Sequence, residues 1–90
     1  MTGKRRQEVL RAGQQYANEI EKRFPGASTE VLLESIGGHE AWIRIELPPQ
    51  LHERREEVMD ATAELNDRFD DEGVALIATV LEVEEVGAHG

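Results

Sequence analysis

Apolar residues in this chain recur first at helical spacing, then at strand spacing, then at helical spacing again, and end in a run that obeys neither period. Val9, Gly13, Tyr16, Ile20 and Phe24 fall at three- and four-residue steps, with Leu10 and Ala17 beside them. That stripe predicts an amphipathic helix from about Lys4 to Phe24. Pro25-Gly26 ends it, because proline cannot continue the ladder and glycine accepts a left-handed turn. A strand is expected at about Thr29–Ile36, then a turn at Gly37-Gly38-His39-Glu40. The next strand, Ala41–Leu47, alternates cleanly. Ala41, Ile43, Ile45 and Leu47 share one face, and Trp42, Arg44 and Glu46 share the other. Pro48-Pro49 closes that strand and pre-sets the first turn of a second helix, expected over Pro49–Glu72. Its stripe is Leu51, Val58, Leu65 and Phe69, widened by Met59, Ala61 and Thr62, and Gly73 supplies the stop. A third strand is predicted over Val74–Val83, with a possible reach to Val86 before a flexible tail at 87–90.

The order α-β-β-α-β predicts one α+β domain spanning residues 1–90, a three-stranded sheet with two antiparallel helices on one face. A Gly-containing hairpin, an amphipathic helix and a final strand in this order resemble the ferredoxin-like fold without its first strand. They also resemble the cytoplasmic domain of cation-diffusion-facilitator transporters. The resemblance is one of topology and pattern, and it implies a truncated ferredoxin-like fold without implying a function.

The third strand sets the problem. Val74-Ala75-Leu76-Ile77-Ala78-Thr79-Val80-Leu81 is apolar on both faces, whereas two helices can cover only one face of the sheet. With Ala41, Ile43, Ile45 and Leu47 turned to the helices, Val31 and Leu33 join them. Leu32, Glu34 and Ile36 then point outward with Trp42 and Arg44. On the third strand, either Leu76, Ala78 and Val80 or Ile77, Thr79 and Leu81 must point outward as well, and the second set is assigned there. An outward patch of Leu32, Ile36, Trp42, Arg44, Ile77, Thr79 and Leu81 is therefore expected to bind a partner, in the simplest case a second copy of this chain.

Composition narrows the partner. The net charge of −9 is uneven: residues 1–26 sum to +3 and residues 27–90 to −12. So acidic a surface repels phosphate at long range, which argues against nucleic acid. No run approaches the ~18 apolar residues that cross a bilayer, and no signal-peptide core follows the first residues, so a soluble cytoplasmic protein is expected. The absence of cysteine removes disulfides and thiolate chemistry. Lys4, Arg5 and Arg6 at the start of the first helix, and Asp67, Asp70, Asp71 and Glu72 at the end of the second, both oppose the helix dipole. Antiparallel packing would set them side by side. Asp70-Asp71-Glu72 lacks the spacing of a calcium loop.

No nucleophile, base and electrophile come together in the sequence, and no phosphate-binding glycine loop is present. His52-Glu53-Arg54-Arg55-Glu56 approaches the H-E-x-x-H zinc helix but has Glu56 where the second histidine belongs. The expected function is a non-enzymatic interaction or assembly module without cofactor or metal, pairing with itself or with a heterologous protein. The alternative is a ligand- or metal-responsive regulatory domain whose site forms from His39, His52 and nearby acids on dimerisation. A third reading, an acidic antidote to a basic toxin, rests on charge alone.

Overall fold

The computed structural model describes residues 2–35 and 37–84. Its elements follow the expected order: α1 (Thr2–Arg23), β1 (Ser28–Leu32), β2 (Ala41–Leu47), a 3-10 turn (Pro49–Arg54), α2 (Arg55–Asp71) and β3 (Leu76–Glu82). The strands form one sheet in the order β1-β2-β3. β1 and β2 are antiparallel, whereas β2 and β3 are parallel. The parallel pair follows from the connection, since α2 carries the chain back along the sheet before β3 starts at the same end as β2. In the full ferredoxin-like order another strand would separate these two. Without it they pair directly.

Both helices lie on one face, and the core forms between them and the sheet. On central β2, Ala41, Ile43, Ile45 and Leu47 are each 0% exposed. From α1 and its end come Val9, Ala12, Tyr16, Ala17, Ile20 and Phe24. The other wall is Leu51, Val58, Ala61, Leu65 and Phe69. The helices run antiparallel: Arg5, early in α1, reaches the Gly73 carbonyl just past α2, and Arg23 at its end meets Glu64 in mid-α2. Between them Tyr16 stacks on Phe69, with ring centroids 5.9 Å apart. The Tyr16 hydroxyl donates to Asn66 Oδ1 at 2.6 Å, with the Thr62 carbonyl at 3.1 Å. Burial raises its pKa.

Four expectations are corrected. The first strand ends at Leu32 rather than Ile36, so residues 33–40 form a longer connection than a tight hairpin. Extending the antiparallel register would set Glu34 opposite Glu40, a like-charged pair. Glu40 is instead drawn toward β3, its N–H donating to the Ala75 carbonyl at 2.8 Å. Leu33 leaves the ladder yet still packs against the core. The second helix opens as a 3-10 turn, and regular α-helix begins only at Arg55. Met59 stands 46% exposed rather than widening the buried stripe. The third strand starts at Leu76, Val74 being held in the turn by its N–H bond to the Phe69 carbonyl. Ile36, Val86 and the tail at 87–90 lie outside the described residues.

Candidate association surface

Register fixes which β3 residues share the helix-free face. Leu32, Trp42 and Ile77 are cross-strand neighbours, forming one row over all three strands. The next row is Glu30, Arg44 and Thr79, and the last is Ser28, Glu46 and Leu81. The outward set on β3 is thus Ile77, Thr79 and Leu81, while Leu76, Ala78 and Val80 face the helices. Of the residues expected on this face, Leu32, Trp42, Arg44, Ile77, Thr79 and Leu81 are brought together. Ile36 lies outside the described residues.

The face has an apolar end and a charged middle. Leu32, Trp42 and Ile77 are half-buried by their neighbours, and Leu81 is 37% exposed at the far corner. Arg44 Nη2 lies 2.9 Å from Glu46 Oε2, and its Nη1 lies 3.9 Å from Glu30 Oε1. Such exposed pairs contribute about 0–1 kcal/mol each, so they order the surface more than they hold the fold. Two donors on this face, Trp42 Nε1 and Arg44 Nε, are shielded from solvent without a hydrogen-bond partner. A buried donor left unpaired costs about 1–3 kcal/mol, so this face carries a local cost in its present arrangement. Glu30 and Ser28 were not anticipated here. Counting back by twos from Leu32 would have found both.

The other candidates lie elsewhere. His52, in the 3-10 turn, turns Nε2 to the Leu47 carbonyl at 2.9 Å and the Val83 carbonyl at 3.2 Å, bridging the ends of β2 and β3. Both neighbours are acceptors, which assigns the proton to Nε2. The carboxylate facing Nδ1 is Glu82, at 4.0 Å. Among the described residues no group of three or more His, Asp or Glu converges as a metal site. His39, in the connection before β2, is half-buried.

The basic start of α1 does sit beside the end of α2, but its chief partner is Glu40. Arg5 donates Nε–H to Glu40 Oε1 at 2.8 Å, and Nη2 to Oε2 at 2.5 Å and to the Gly73 carbonyl at 2.8 Å. The Ala75 N–H adds a longer bond to Glu40 Oε2, at 3.3 Å. Arg5 therefore satisfies a carbonyl beyond the α2 C-terminus and ties α1 to the entries of β2 and β3. These bonds, led by the one from Arg5, hold the Glu40 carboxyl below its ordinary pKa. The stabilisation is present above the ordinary glutamate value of about 4.3 and fades as pH falls through the lower folded value. Thermal melts at stepped pH should show Glu40→Gln less stable than the parent above pH ~5, with the gap closing in more acid solution. A gap that stays constant down to pH ~2 would assign the loss to packing instead.

No family model, curated protein or solved structure matches this chain. The geometry defines an α+β domain with a helix-covered face and an open one. Among the described residues no helix is long and apolar enough to cross a membrane.

Proposed function

We propose that this protein is a non-enzymatic assembly module of the cytoplasm that associates with a second copy of itself through the helix-free face of its sheet. The observation that carries the reading is the row Leu32–Trp42–Ile77, which spans all three strands on the side that neither helix covers. One face presented by two copies is self-complementary about a two-fold axis, so this single row serves both partners. Tryptophan is a frequent anchor of such contacts, and Trp42 stands at the centre of the row, between Leu32 and Ile77. The many carboxylates, −12 over residues 27–90, oppose association with nucleic acid and keep unpaired copies soluble.

Light scattering on the parent and on Trp42→Ala tests this. The parent should weigh as a dimer or a larger assembly at micromolar concentration. The variant should dissociate at concentrations at least ~30-fold higher, as expected from the ~2 kcal/mol or more that an interface anchor supplies. A variant that keeps the parent's mass and only melts earlier would show Trp42 to be core, and the reading would fall.

A further inference from the structure

The face explains only half of the apolar character of β3. Ala78 and Val80 turn toward the helices, yet both remain only partly buried while packed against the core. A copy lying on the helix-free face touches the opposite side of the sheet and leaves them as they are. Something arriving along the edge of β3 would cover them.

That edge is unguarded. β3 is the last strand of the sheet, and nothing pairs with its far side among the described residues. From Leu76 to Leu81 it holds no charge and no proline, the two devices with which proteins usually block a free edge. The opposite edge strand, β1, is shorter and carries Glu30. The direction of the β3 backbone groups can be read from the ladder. The Val83 N–H donates to the Leu47 carbonyl at 3.0 Å, so odd-numbered amides point to β2. By alternation, those of Ala78, Val80 and Glu82 point away from the sheet.

We propose that β3 is a second self-association site, independent of the helix-free face, at which it pairs antiparallel with β3 of another copy to make a continuous six-stranded sheet. A two-fold axis at Thr79 aligns the whole of Leu76–Glu82 with itself. Ala78 then lies across from Val80 of the copy as a hydrogen-bonded pair on the helix side, where both gain cover. Ile77 lies across from Leu81 on the other side, and Thr79 meets its own equivalent. Glu82 falls opposite Leu76 rather than another carboxylate, so the register brings no like charges together. A second copy suits the edge better than a charged peptide, because the strand offers matched aliphatics and no side chain that would select a charge.

Amide hydrogen exchange read residue by residue over a concentration series, with mass measured in parallel, tests this on the whole chain. The odd-numbered amides Ile77, Thr79 and Leu81 should be protected at all concentrations. Those of Ala78 and Val80 should gain at least ~10-fold protection as the mass rises. Val80→Pro deletes an outward N–H and spares the β2 ladder, a position where edge strands tolerate proline. It should remove that gain while circular dichroism stays unchanged. If instead Val80→Pro perturbs the circular dichroism, Val80→Lys provides the same block without touching the backbone. Free exchange of Ala78 and Val80 in a sample whose mass Trp42→Ala lowers would overturn the edge and leave the face standing. Protection at monomer mass would show that the strand is covered within a single chain, and would overturn it too. A monomer with free exchange removes both contacts.

Discussion

Phe69→Ala should leave a large fraction of this protein unfolded at 25 °C. Phe69 is 1% exposed at the end of α2, stacked on Tyr16, with the Arg68 guanidinium over its ring 5.1 Å from the centre. Removing a buried aromatic costs about 3–5 kcal/mol, part lost transfer energy and part the cavity left behind. Domains of this size lie near the low end of the ~5–15 kcal/mol range, so one such loss consumes most of the margin. The cavity would also strip the Tyr16 ring of its packing partner, and the Tyr16 hydroxyl bond to Asn66 is part of the α1–α2 contact. Urea titration followed by far-ultraviolet circular dichroism measures the effect. A loss below ~1.5 kcal/mol would show that α1 and α2 close over the gap, and that the helix pair is softer than its close contacts imply. Phe69→Leu, which retains most of the volume, should cost well under half as much.

The second large effect is one of sign. Alanine in place of glycine inside a helix ordinarily stabilises by about 1 kcal/mol. Gly13→Ala should do the reverse here. A Cβ at Gly13 would stand 2.7 Å from Val31 Cγ1, where α1 crosses β1. Val31 is β-branched and held in a strand paired with Ile43, so it has little freedom to rotate away. Overpacking of this kind costs about 1–3 kcal/mol, which outweighs the helix gain. The Val31→Ala background removes the obstruction, and there Gly13→Ala should become stabilising by up to ~1 kcal/mol. Four melts give the complete cycle. If Gly13→Ala stabilises the parent, the crossing is looser than 2.7 Å implies and Gly13 is an ordinary helix residue.

The same contact shows what was legible beforehand. Spacing alone places Gly13 on the buried stripe, and the structure puts it there, but nothing in the sequence names Val31 as its neighbour. β2 is legible to the residue because its period is 2 and both ends carry strong signals, the Gly37-Gly38 turn before it and Pro48 after. The expected β1 runs too far because Leu33 is apolar and packs against the core, and packing does not require a place in the ladder. The outward β3 set was one of two alternatives in the sequence, and only the pairing of Ile77 with Trp42 decides between them. The Arg5–Glu40–Gly73 junction joins residues distant in the chain, and no period reports such a contact. The sequence around His52 resembles a zinc motif, whereas its ring bridges two strand ends, a role set by the 3-10 turn.

The parallel pairing of β2 with β3 also governs the order in which the chain is secured. β1 and β2 join across residues 33–40, a short loop that costs little entropy to close. β3 can reach β2 only after the 3-10 turn and the whole of α2 have been traversed, so its contact is the non-local one. The β1–β2 hairpin is therefore the local part of the sheet, and the β2–β3 pair carries its long-range pairing. The strand whose edge is free of charge from Leu76 to Leu81 is also the one whose place in the sheet depends on the longest connection.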